Sequence, residues 1–180
     1  MDKWMVGRKN QSDSHTDMWV ERKMALSLSS VLSRQGRRLL QVGVGLLIFS
    51  SLEGFAIPYA AAPRLGLSAH TLSGLQSVLL LALGLVWPKL NLGAVTSRIA
   101  AWSLIYSTFA ILTAYVLAAN WGAGNETMPL AAGAAQGTAL QEALIKIVAY
   151  SSAPTGLVSF ALIFWGLRGA EAPSMNDRRS

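Results

Sequence analysis

Cysteine is absent, which excludes disulfides, thiol catalysis and thiolate metal sites. Charge is scarce. Asp, Glu, Lys and Arg together make up 13% of the 180 residues, against roughly 25% in a typical soluble domain, too few to dress an ordinary water-facing surface. Histidine occurs only at His15 and His70, and no Gly-rich phosphate loop or paired-histidine motif is present. Neither a nucleotide hydrolase nor a self-contained zinc enzyme is therefore expected. The apolar runs also lack the strict polar/apolar alternation that a membrane barrel needs.

Apolar residues are what the chain has instead, at 52% of its length. They gather in four runs, Leu39 to Tyr59, Leu72 to Val86, Ala100 to Ala119 and Ile145 to Leu167. A helix needs about 17 to 25 such residues to cross roughly 30 Å of hydrocarbon. The second run is short and borrows its start from His70 or Thr71. Glycines within the runs agree with helices that approach one another closely, Gly43 and Gly45 in the first among them. The expected fold is all-α: a four-transmembrane-helix bundle with a polar basic N-terminal arm.

Basic residues orient the bundle. The arm carries Lys3, Arg8, Lys9, Arg22, Lys23, Arg34, Arg37 and Arg38; the middle connection has Lys89 and Arg98, and the end of the chain has Arg168, Arg178 and Arg179. Residues 120–141 have none, and Arg64 runs against the bias. By the positive-inside rule both termini are expected in the cytoplasm; the expected location of this multi-pass protein is a bacterial inner membrane. The net charge of +6 is thus a topology signal. With no recognisable nucleic-acid module, nucleic acid is not an expected partner. The chain divides into an arm over 1–37, a membrane domain over 38–168 and a tail over 169–180. Trp19, Met24, Leu28, Val31 and Leu32 either line an amphipathic segment on the inner leaflet or are incidental apolar residues of a flexible arm.

The runs contain a few polar side chains, and these are the candidate site. Glu53 lies deep in the first and must face a cavity or a partner, as a proton donor or as a structural hydrogen-bonding group. On the second, His70, Ser73 or Gly74, and Ser77 share a helical face, with Gln76 beside them. His70 is at the boundary between the first two runs. It either ligates a metal or haem iron while its second nitrogen is oriented by a neighbour, or caps the helix. Trp102, Tyr106, Ala110 and Thr113 recur on one face of the third run and Tyr115 lies on another. Glu142, Lys146 and Tyr150 follow at four-residue intervals, and Glu before Lys is the favourable order for a helical ion pair. Ser151, Ser152, Pro154, Thr155 and Gly156 then predict a kink. Asn125-Glu126-Thr127 matches a glycosylation acceptor, of consequence only in a eukaryotic secretory membrane.

PRLGLSAH (Pro63 to His70), LGLVWPKL (Leu83 to Leu90), and WGAG, MPLAAG and QEAL between Trp121 and Leu144 resemble the hydroxylaminobenzene mutases, which share a four-helix plan with styrene oxide isomerase. The resemblance covers about Leu39 to Arg168. It implies a homotrimer with haem b at subunit interfaces, its iron held by a histidine at the start of the second helix, where His70 stands. An asparagine of that relative is matched by Gln76, a tyrosine by Tyr115, and a polar companion one turn before the tyrosine is replaced by Ile111.

The resemblance implies an intramolecular hydroxyl-transfer isomerase that turns an aryl hydroxylamine, a small aromatic substrate entering from the lipid bilayer, into an aminophenol. Gln76, Tyr115 and Glu53 form the expected catalytic set, with Trp102, Tyr106 and Phe109 around the aromatic ring. A non-enzymatic haem- or quinone-binding membrane subunit is the alternative. A small transporter using Glu53 and Lys146 is a third reading, without evident inverted-repeat symmetry.

Overall fold

The structure is a computed structural model that describes residues 3–134 and 136–168, with side chains described from residue 18 onward, residue 21 excepted. Five α-helices follow one another: α1 (Lys3–Ala56), α2 (Pro63–Val86), α3 (Ala94–Trp121), the single turn α4 (Pro129–Ala132) and α5 (Ala139–Arg168). Among the described residues there is no strand. α1, α2, α3 and α5 are each long and apolar enough to cross a membrane, as a multi-pass membrane protein requires.

The helices are longer than the apolar runs because local signals, not hydrophobicity, set their ends. Pro63 occupies the first turn of α2, where its missing N–H costs nothing, so PRLGLSAH is helical and His70 lies about 10 Å inside the helix. The expected boundary position of His70 is corrected accordingly. At the other end of α3, Gly122 takes a left-handed conformation (φ 61°) as C-cap, its N–H returning to the Ala118 carbonyl. α1 crosses residue 37 without interruption. Leu32 is buried in the core and Leu28 packs against it, whereas Trp19 and Met24 are exposed. His15 and the tail over 169–180 lie outside the described side chains.

Short turns through Pro58 and Pro88 reverse the chain, and the bundle assembles as two antiparallel pairs, α1 with α2 and α3 with α5, joined by α2 against α3. Small residues make the first pair close. A Cβ on Gly36 would come within 2.7 Å of the Gly84 carbonyl oxygen, and one on Gly84 within 2.9 Å of that of Gly36. The two backbones therefore touch. Gly43 packs against Leu81 and the Ser77 carbonyl, whereas Gly45 has nothing within 4 Å of where its Cβ would be.

Hydrogen bonds join the second pair. Ser107 Oγ donates to the Ser152 carbonyl at 2.8 Å, Ser159 Oγ to the Ala100 carbonyl at 2.9 Å, and Tyr106 to Ser151 Oγ at 2.9 Å. α5 continues as helix through Pro154, with Thr155 Oγ1 donating to the Ser151 and Ser152 carbonyls beside it. At the arm end of the bundle, the buried Trp87 indole donates to Gln35 Oε1 at 3.0 Å and to Ser97 Oγ at 3.1 Å, and Ser97 donates to the same Gln35 oxygen. Asn91 N–H bonds to the Gly166 carbonyl there. The base of the arm, the α2–α3 turn and the end of α5 thus share one end of the bundle.

The opposite end is held by Glu142, which is buried and accepts backbone N–H groups from Gly124 (2.7 Å), Gly137 (3.1 Å), Asn125 (3.3 Å) and Glu126 (3.3 Å). The expected Glu142–Lys146 pair does not form. Lys146 reaches Glu126 instead, at 3.6 Å and in the open. Four converging N–H donors hold a carboxylate better than one exposed ammonium does.

Candidate functional site

Between α1 and α2, two turns in from the loop end, Ser50, Glu53 and Gly54 face His70. Their i, i+3, i+4 spacing sets all three on one side of α1. The His70 ring lies 2.9 Å through Nδ1 from the Ser50 carbonyl oxygen, and Ser50 Oγ donates to the His70 carbonyl at 3.1 Å. A carbonyl only accepts, so Nδ1 carries a proton, and Nε2 is the ring nitrogen left to present a lone pair to a metal. This is the orientation a ligating histidine takes, one nitrogen fixed by an acceptor and the other presented. Gly54 lets the ring in: a Cβ there would be 3.3 Å from Cε1 and 3.5 Å from Nδ1.

Glu53 completes the cluster. Its Oε2 is buried without a hydrogen-bond partner, and its carboxyl is within electrostatic reach of the His70 ring and the Ser73 hydroxyl. A buried carboxyl oxygen with no partner costs stability unless something it serves is brought to it. Among the described residues no three His, Asp or Glu side chains gather to hold a metal ion.

The other expected site residues lie elsewhere. Gln76 is turned toward α3, where Thr108 Oγ1 donates to its Oε1 at 3.3 Å. Six residues along a helix is a rotation of about 240° from His70, which removes Gln76 from the histidine's face. Tyr115 lines an outward groove of about 390 Å³ with Leu67, Ser68, Thr71, Leu72 and Leu75 of α2. Trp102 and Phe109 border grooves between α1 and α3, and Tyr106 is bonded to Ser151. Trp102, Tyr106 and Phe109, expected around the substrate's ring, therefore do not line one pocket within a single chain.

Ser50 and Gly54 are the members of the cluster that sequence reasoning missed. The signal was available in SSLEG, which sets a hydroxyl, an acid and a glycine on the face that already carries Glu53. What concealed it is that Ser50 acts chiefly through its backbone carbonyl, a group every residue has.

Comparison with known proteins agrees with this architecture. The styrene oxide isomerase family model matches residues 35–168, from the base of the arm to the end of α5. Hydroxylaminobenzene mutase HabB of Ectopseudomonas oleovorans is 44% identical over 154 residues, covering 86% of this chain and 94% of that protein. Hydroxylaminobenzene mutase HabA of the same organism is 31% identical over 125 residues, covering 69% of this chain and 93% of that protein. No solved structure matches the chain. Family and relatives alike are isomerases or mutases, which sets aside the non-enzymatic reading: the chain belongs to the styrene oxide isomerase family and is an isomerase.

Proposed function

We propose that the protein is a hydroxylaminobenzene mutase, converting an aryl hydroxylamine to an aminophenol within a membrane. The observation that carries this reading is the 44% identity to HabB over nearly all of that protein. The reaction is an isomerisation. The N–O bond breaks, a ring carbon gains the hydroxyl and loses its hydrogen, and the nitrogen regains a proton, so no oxidant or reductant is consumed.

The His70 cluster fits haem b. Nδ1–H is held by the Ser50 carbonyl, and Nε2 is left as the single protein ligand that a porphyrin, bringing its own four nitrogens, requires. When bound, ferric haem supplies a Lewis acid for the hydroxylamine oxygen. Glu53, with its unpartnered Oε2, exchanges the protons that leave the ring carbon and reach the nitrogen. Gln76 and Tyr115 orient the polar end of the substrate. Tyr115 lines an outward groove and Gln76 is turned toward α3, both away from His70, so this reading has the site completed by a neighbouring subunit, in a homotrimer. The protein is oriented with both termini in the cytoplasm, since the arm, the α2–α3 turn and the end of α5 share one end of the bundle and carry most of the basic residues.

The test is direct. Purified protein incubated with phenylhydroxylamine yields aminophenol by chromatography. H70A remains inserted and loses both product and the Soret band of the reconstituted protein. Absence of aminophenol with haem present refutes the reaction, and an unchanged Soret band in H70A refutes the ligand.

A further inference from the structure

At the arm end of α1 and α3, Arg34, Arg38 and Arg98 converge on a groove of about 500 Å³, with Gln35 and Gln41 beside them and Val42, Ala101, Trp102 and Ile105 toward the membrane. Among the described residues no acidic side chain lines it. The ion pair found among the described residues, Lys146 with Glu126, is at the other end of the bundle. Three guanidinium groups facing one concavity repel each other unless an anion is shared among them. The Gln35 side-chain oxygen is taken up by Trp87 and Ser97, which leaves its amide N–H groups as the donors it can still offer.

The groove does not end there. Val42 also borders a second hollow, of about 460 Å³, that continues between the same two helices past Gly45, Leu46 and Phe49 to Phe109 and Leu117. From Arg38 to Phe49 the helix rises about 16 Å, close to one leaflet, which is half of the roughly 30 Å hydrocarbon core. A cationic mouth at the membrane surface thus opens into an apolar channel one leaflet deep.

We propose that this α1–α3 groove binds an anionic glycerophospholipid, its phosphate among Arg34, Arg38 and Arg98 and an acyl chain along Gly45 and Phe49. The mouth by itself would accept any oxyanion. The apolar continuation selects a lipid over free phosphate, and three arginines with no acid among the described lining residues select an anionic headgroup over a zwitterionic one, whose ammonium they would repel. None of these residues belongs to the His70 cluster, and the lipid-binding readout needs no isomerase activity, although Trp102 and Phe109 were also expected around the substrate's ring.

Native mass spectrometry of the full-length protein in detergent, titrated with phosphatidylglycerol and with phosphatidylcholine of the same acyl chains, tests it. Phosphatidylglycerol is expected to bind at least tenfold more tightly. Replacing Arg34, Arg38 and Arg98 with Gln is expected to weaken it about a hundredfold, whereas the same replacement at Arg22, Lys23 and Arg37 leaves it within about twofold. Gly45→Leu fills the channel without meeting any atom within 4 Å of its Cβ position, so it should fold normally and still lower lipid affinity. Equal binding of the two lipids, equal losses in both triple variants, unaltered binding in Gly45→Leu, or full displacement by inorganic phosphate would each overturn the proposal. A crosslink from Trp102→Cys to a neighbouring subunit within the groove would overturn it as well, by giving the groove a second copy as its occupant.

Discussion

Replacing Glu142 with Gln should loosen the outer end of the bundle while leaving the membrane helices in place. The Glu142 carboxylate accepts N–H groups from Gly124, Asn125 and Gly137 on Oε1 and from Glu126 on Oε2. Hydrogen bonds to a charged group contribute about 1.5–3 kcal/mol and neutral ones about 0.5–1.5, so neutralising the Oε1 set removes about 3 kcal/mol if all three are strong. The bonds from Asn125 and Glu126, at 3.3 Å, are long and weigh less. Against that, the new amide NH2 faces the Glu126 N–H, donor against donor, adding about 1 kcal/mol. A loss of about 3 kcal/mol results, which corresponds to roughly a hundredfold more frequent opening of the loop. Hydrogen exchange by mass spectrometry reads it: amides of residues 122–138 should exchange on the order of a hundredfold faster, while those of residues 100–118 in α3 keep their protection. The buried Trp87 at the far end should report an unchanged environment by fluorescence. If the loop amides of the Gln variant stay as protected as in the wild type, the clasp does not hold this end and the reasoning fails.

Gly84→Ala places a Cβ 2.9 Å from the Gly36 carbonyl oxygen and about as near Leu40, and should cost about 1–3 kcal/mol as overpacking; an unchanged melting temperature in detergent would contradict the backbone contact. Gly54→Val crowds the His70 ring, which a Cβ there would already approach to 3.3 Å. It should shift or abolish the Soret band while insertion is retained, and a wild-type spectrum would separate the ring's position from cofactor binding. A reporter fused after Arg168 should be active in the cytoplasm and one placed within residues 125–137 on the external side; the reverse pattern would overturn the orientation.

Much of the architecture was legible in the sequence for a simple reason: a chain with few charges and four apolar runs has almost no folded state open to it except a helical bundle in lipid, where every backbone group is satisfied within its own helix. The ends of those helices were less legible. Apolar runs mark what lipid tolerates, whereas Pro63 and Gly122 mark where backbone geometry starts and stops a helix, and the two do not coincide. Glu142 illustrates the limit of spacing rules. Its distance from Lys146 along the helix suits an ion pair, but four N–H groups of the preceding loop, at Gly124, Asn125, Glu126 and Gly137, compete for the same carboxylate and win.

The sequence by itself determined the class of fold, the number of spanning helices, the resemblance to the hydroxylaminobenzene mutases and the singling out of His70, because each rests on composition, local periodicity or a contiguous motif. Only the tertiary structure decided what His70 faces. Its Nδ1 is held by a carbonyl twenty residues earlier, its ring is admitted by Gly54, and Glu53 is left with an unpartnered oxygen beside it. It also parted Gln76 and Tyr115 from that cluster and drew three arginines from two helices onto one groove. The physical reason is that helix rotation and the approach of one helix to another depend on side-chain packing between distant segments, Gly36 against Gly84 above all, and no local pattern along the chain encodes those contacts.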